Sequence, residues 1–169
     1  MKTLIVYYSR TGNIRTVTQK TASITKADIE EIVDKKKRTG LIGYLRSGFD
    51  AYRQKETKIA ETTKNPQDYD LIIIGTSVWA GRITPATRTH IQKSNLSGKK
   101  VAFCLTMGGD KPEGPIAAMK ALTPNSTHIS ELALNAKTLE DNEETEKRIT
   151  EWCKQLSEHA PNRSNIHIF

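Results

Sequence analysis

Three stretches of the chain are apolar at every position: Leu4-Ile5-Val6-Tyr7-Tyr8, Leu71-Ile72-Ile73-Ile74 and Val101-Ala102-Phe103-Cys104-Leu105. Short runs of this kind, bounded by turn residues, suit strands covered on both faces. Two others, residues 27–33 and 127–134, mix polar and apolar positions and suit the edges of a sheet. Helical patterns lie between them. Ile14, Val17 and Thr21 open the first, and Thr84-Pro85 starts another with Thr as N-cap and Pro at the first helical position. Gly114-Pro115 starts a third that carries Ile116, Met119 and Leu122. In the last, Ile149, Trp152, Cys153 and Leu156 share one face, with Asp141 and Glu144 as a capping pair at its start.

Strands alternating with helices predict an α/β fold with one doubly wound, five-stranded parallel sheet. Continuous runs belong in the centre and mixed runs at the edges, so the predicted strand order is 2-1-3-4-5. In that order the chain reverses direction between strands 1 and 3, and ligands are expected there, beyond the carboxyl ends of the strands. The whole chain, 1–169, reads as a single domain, with residues 34–64 as an insertion longer than one crossover needs. Within it Leu41, Leu45, Phe49 and Tyr52 recur at helical spacing, which predicts an extra helix turning those residues inward and Arg46 and Arg53 to solvent. Residues 162–169 read as a loose tail or a short strand.

At 169 residues, 36% hydrophobic and 27% charged, the composition is that of a globular domain. The apolar runs are too short for a signal-peptide core or a membrane span, which places the protein in the cytoplasm. Cys104 and Cys153 are far apart in sequence and read as buried, reduced thiols, and His90, His128, His159 and His167 form no ligand pair, so no metal is expected. The formal charge is +7. Residues 34–58 hold eight basic and three acidic side chains, so this one segment carries most of the excess.

The ends of three predicted strands carry the candidate chemistry. Strand 1 runs into Ser9-Arg10-Thr11-Gly12-Asn13-Ile14, a hydroxyl-rich turn that opens a helix. Free N–H groups and the helix dipole favour an anion there, and glycine lets the backbone approach it, although an ordinary helix start has the same composition. No Walker or dinucleotide glycine motif is present, and the acids of a phospho-acceptor site and the cysteine of a phosphatase loop are missing. Strand 3 ends in Ser77-Val78-Trp79-Ala80-Gly81, beside the same crevice, where Trp79 could stack on a planar ring or pack on its own helix. Strand 4 ends in Thr106-Met107-Gly108-Gly109-Asp110, which suits contact with a heterocycle edge or forms a flexible turn.

Together these loops resemble the flavodoxin family over essentially the whole chain. Ser9-Arg10-Thr11-Gly12-Asn13 is similar to its phosphate loop, Trp79-Ala80-Gly81 to the loop over the isoalloxazine ring, and 106–110 to the second ring loop. The resemblance implies the flavodoxin-like fold and FMN as cofactor. It implies that Ser9, Arg10, Thr11, Gly12, Asn13 and Ile14 hold the phosphate, and that Ser77, Val78, Trp79, Ala80, Gly81, Thr106, Met107, Gly108, Gly109 and Asp110 surround the ring. Three features depart from the family pattern: Ile14 where a threonine often closes the phosphate loop, no aromatic residue after strand 4, and a basic rather than acidic chain.

The sequence therefore predicts an FMN-binding electron carrier with no catalytic residue of its own. Its redox partner proteins would be acidic and would dock on the basic segment 35–58. Nucleic acid is not expected, because no aromatic platform accompanies the charges. Two alternatives stay open: an NAD(P)H-dependent flavin or quinone reductase on the same fold, and a non-redox module that binds acidic partners.

Overall fold

The computed structural model describes residues 1–38 and 40–160. Strands β1 (Thr3–Tyr7), β2 (Asp28–Glu31), β3 (Leu71–Trp79), β5 (Lys100–Met107) and β6 (Thr127–Asn135) form a parallel sheet in the order β2-β1-β3-β5-β6. A two-residue strand, β4 (Arg82–Ile83), pairs antiparallel with the end of β3. The parallel strands are thus the five expected, in the expected spatial order, and β4 is an addition. It exists because Ala80 and Gly81 both take positive φ, 48° and 71°, which closes a two-residue hairpin between Trp79 and Arg82.

Period-2 alternation in the strands divides the core between the two faces. Leu4 and Val6 of β1, with Ile72, Ile74 and Phe103, point to one layer, which also holds Met119 of α4 (Glu113–Leu122) and Ile91 of α3 (Pro85–Lys93). Ile5 and Tyr7 point to the other, where α1 (Asn13–Thr25) buries Ile14 and Val17, and α6 (Asn142–Glu158) buries Ile149, Trp152, Cys153 and Leu156. The expected caps are formed: Thr84 accepts a hydrogen bond from the Thr87 N–H, and Asp141 from the Glu144 N–H. Gly75 is required by close approach, since a Cβ there would lie 2.7 Å from Tyr7 Cβ and 2.9 Å from Thr18 Cγ2. It lets α1 sit tightly over the junction of β1 and β3. The two cysteines are buried and unbonded, and burial pushes the Cys153 thiol up to about 11 and Cys104 higher still.

The segment after β2 is an excursion with a closed stem. Asp34 and Ile59 form an antiparallel bridge, flanked by Lys35 N–H to Lys58 O (2.8 Å) and Ala60 N–H to Val33 O (2.8 Å). It contains α2 (Gly40–Tyr52), the helix expected from sequence, with Arg46 and Arg53 exposed as expected but with Leu45, Phe49 and Tyr52 turned outward rather than inward. Leu45, Phe49 and Tyr52 are 64%, 54% and 63% exposed, whereas Ser47, Asp50 and Ala51 are buried. The reason is an ionic cluster beneath the helix. Arg38, only 6% exposed, donates through Nε to Asp34 Oδ2 (2.5 Å) and through Nη1 to Asp50 Oδ2 (3.2 Å), and Lys36 also pairs with Asp50. Burial alone would raise the Asp50 carboxyl, but Lys36 and Arg38 outweigh it and hold it below its ordinary value. Gly43 admits this arrangement, because a Cβ there would lie 2.6 Å from the Arg38 carbonyl carbon. The residues predicted as a C-terminal tail or strand, 162–169, lie outside the described residues, as does the side chain of Leu41.

Candidate functional site

Above the carboxyl ends of β1, β3 and β5 the chain leaves a crevice of about 950 Å³. That is large for a small-molecule site, whose usual range is about 300–1,000 Å³. One wall is the turn between β1 and α1. Gly12 stands at φ 101°, a value glycine adopts freely, and places its N–H on Ser9 Oγ (3.1 Å). Among the described residues no side chain caps α1 or α4, whereas Thr84, Asn135 and Asp141 cap α3, α5 (Ala136–Glu140) and α6. The first N–H groups of α1 are therefore left for an external acceptor, in the place where the dipole favours negative charge. A Cβ on Gly12 would meet nothing within 4 Å, so the space over this turn is open. Thr11 and Asn13 line the crevice beside it.

The floor comes from the ends of β3 and β5. Ser77 Oγ and Thr106 Oγ1 lie 3.3 Å apart across the two strands. The β3–β4 hairpin brings Val78, Trp79, Ala80 and Gly81 to one side, and the turn after β5 brings Met107, Gly108, Gly109 and Asp110 to the other. Trp79 is only 8% exposed. Tyr8 meets its ring edge-on at 5.8 Å, and the Arg10 and Arg38 guanidinium carbons lie 4.5 and 5.7 Å from its centroid. Burial and the Asp34 carboxylate raise the Tyr8 phenol against the opposing pull of Arg38 and Arg10, so it stays protonated at neutral pH.

The family profile described as Flavodoxin matches residues 2–156. The chain belongs to the flavodoxin family. A Bacteroides eggerthii protein assigned to the flavoproteins is 22% identical over 92% of this chain and 98% of its own, with a TM-score of 0.77. A Lactobacillus acidophilus flavoprotein solved in complex with FMN is 22% identical over 82% of this chain and 96% of its own, with a TM-score of 0.69. A Streptococcus pneumoniae flavodoxin reaches a TM-score of 0.60 at 16% identity, over 95% of this chain and all of its own. At these identities the likeness is one of fold. No curated protein matches the chain.

On this flavodoxin fold the three loops singled out in the sequence converge on one crevice. Arg10, Thr11, Asn13, residues 77–81 and residues 106–110 all line it. Ser9, Gly12 and Ile14 are not among its lining residues. Ser9 acts through the Gly12 N–H, and Ile14 is buried in the core, so its backbone N–H is all it can offer. Arg15 turns away and forms a two-point ion pair with Glu31 (3.1 and 2.6 Å), which also accepts from the Tyr7 hydroxyl. Two walls were missed. Ala136, Leu139 and Glu140 close the side next to the β5 turn, and Leu45, Gly48 and Phe49 of α2 stand opposite. The periodicity of α2 was legible, but the side it faces was not. Among the described residues no cluster of His, Cys, Asp or Glu could hold a metal ion, and no helix is long and apolar enough to cross a membrane.

Proposed function

We propose that this flavodoxin-family protein binds FMN in the crevice and serves in electron transfer. The observation that carries the reading is the uncapped start of α1, with Gly12 at positive φ, opening onto the same crevice as the β3 and β5 loops. The N–H groups of Asn13 and Ile14, with the side chains of Thr11 and Asn13, suit a terminal phosphate on a turn that the Ser9–Gly12 hydrogen bond shapes, and Arg10 adds charge. Residues 77–81 and 106–110 suit a flat heterocycle, with backbone exposed at Gly81, Gly108 and Gly109 and aliphatic bulk from Met107. When bound, the flavin supplies the redox chemistry, and the chain supplies position and electrostatics. Arg10 rests on Trp79, so a ring stacked on the indole requires that guanidinium to swing aside. Titration with FMN tests the reading. Flavin fluorescence and absorbance change on binding, and Trp79→Ala weakens binding by about 1 kcal/mol, the scale of an aromatic pair. Unchanged flavin spectra at excess protein would defeat the cofactor assignment.

The partner reading narrows with the fold. Lys36, Arg38 and Lys55 answer Asp34 and Asp50 internally, which leaves Lys35, Lys37, Arg46, Arg53 and Lys58 as exposed cations of the excursion. These five suit an acidic redox protein, whose encounter they would steer. Electron transfer to such a partner slows as salt rises, and replacing Lys35, Lys37 and Arg46 with Gln flattens that dependence while FMN binding is kept. Stopped-flow rates indifferent to both salt and substitution would remove the docking role.

A further inference from the structure

The α2 wall of the crevice is apolar and open to solvent. Leu45 and Phe49 both line the cavity and both stay more than half exposed, 64% and 54%, in a molecule whose other large apolar side chains are mostly buried. They are held in this position from behind. Arg38, Asp34 and Asp50 occupy the inner face of α2, Arg88 Nη2 donates to Gln54 Oε1 (2.7 Å) at its end, and Thr57 N–H donates to Thr89 Oγ1 (2.9 Å) just beyond. The helix is thus tied to α3 and to the β2 stem, and its apolar face is aimed at the crevice. Two cations crown Phe49: Arg53 Cζ lies 5.5 Å and Lys55 Nζ 5.2 Å from the ring centroid. Lys55 is 3.8 Å from Asp50, but Lys36 and Arg38 already share that carboxylate, so the local balance stays positive. Gly81, Gly108 and Gly109 line the same cavity without side chains.

We propose that Leu45 and Phe49, under Arg53 and Lys55, form a second subsite, beside the flavin seat, for a flat aromatic anion such as a sulfonated or carboxylated naphthoquinone. The flat ring answers the aromatic and aliphatic wall, and the negative charge answers the two cations. A water-exposed Phe and Leu lose no core packing by standing here, and they gain burial only when such a molecule enters. This subsite rests on the FMN reading, because it is defined as the part of the crevice that the cofactor leaves over.

The test uses the full-length, FMN-saturated, oxidised protein with 1,4-naphthoquinone-2-sulfonate as probe, its affinity read by calorimetry and not by turnover. One probe binds per chain. Phe49→Ala lowers its affinity about tenfold, a change of about 1.4 kcal/mol, and Leu45→Ala lowers it less. Arg53→Gln weakens the sulfonate severalfold yet leaves neutral 2-methyl-1,4-naphthoquinone unaffected. All three variants keep FMN affinity and melting temperature, since the altered side chains are exposed. Probe binding that ignores Phe49→Ala, or that FMN displaces competitively, overturns the subsite. A Phe49→Ala variant that loses FMN instead of the probe also overturns it and gives the wall to the cofactor. Failure of FMN itself to bind would overturn the cofactor reading, whereas normal FMN uptake with no probe bound overturns this inference alone.

Discussion

Helices α1 and α2 are each thirteen residues long and carry apolar residues at helical spacing, yet they face opposite ways. α1 puts Ile14 and Val17 into the core and its polar side outward. α2 puts Ser47, Asp50 and Ala51 inward over a buried arginine and leaves Leu45, Phe49 and Tyr52 in the open. The difference lies in what waits beneath each helix. Under α1 lie Ile5, Tyr7 and Ile73, an apolar surface that only an apolar face can cover. Under α2 lies the start of its own excursion, where Asp34 and Arg38 need countercharges more than they need leucine. A stripe of apolar residues therefore states that a helix has two unlike sides, and its surroundings decide which side is inner.

The strongest way to break this comparison is to remove the ionic anchor of α2. Asp50→Ala leaves Arg38 buried with its charge only partly answered, and we expect a loss of about 3–5 kcal/mol, the usual cost of breaking a buried pair. Denaturant unfolding checks it; a loss below about 1 kcal/mol would show that the cluster is a surface pair in disguise. On the other helix Ile14→Ala costs about 2–5 kcal/mol by opening a cavity over β1 and β3. The two substitutions together then show that one helix hangs on charge and the other on packing.

Acid should separate the helices further. Asp50 has a folded pKa below its ordinary value of 3.8. Its contribution is fully present above that value and is lost as pH falls from there through the lower folded value. As pH falls below 3.8, α2 is expected to loosen while α1 persists, and amide exchange along the two helices measures this. Equal protection of both throughout that fall would refute the difference. The smallest expected effect is on the outer face of α2. Leu45→Ala changes stability by no more than about 0.5 kcal/mol, as for other exposed positions. A loss of 2 kcal/mol there would mean that the apolar face is packed after all.

Much of the site was legible because it sits at strand ends. The run Leu4 to Tyr8 followed by Ser9-Arg10-Thr11-Gly12 locates both the end of a strand and the candidate anion-binding turn behind it. The same holds for Leu71 to Ile74 before Trp79, and for Val101 to Leu105 before Gly108 and Gly109. Once the strand order follows from which runs are apolar throughout, these loops must meet. The contributions of α5 and α2 were not legible. Ala136, Leu139 and Glu140 carry no local signal of a binding wall, and Leu45 and Phe49 carry the signal of a core.

The sequence by itself determined the periods: where strands are buried, where helices begin, and which turns can release backbone donors. Those are properties of neighbouring residues, and they survive any packing of the whole. The tertiary structure alone decided orientation. Whether Trp79 shows its ring to the crevice or lies under Arg10, whether Arg15 meets an anion or Glu31, and whether Phe49 faces the core or stands exposed at the crevice depend on groups far away in the chain. Thr57 finds Asp34 at 2.8 Å and Arg88 finds Gln54 only after the sheet has brought them together. Charge pairing and desolvation act on distances in space, and a linear pattern of apolar and polar positions contains no such distances.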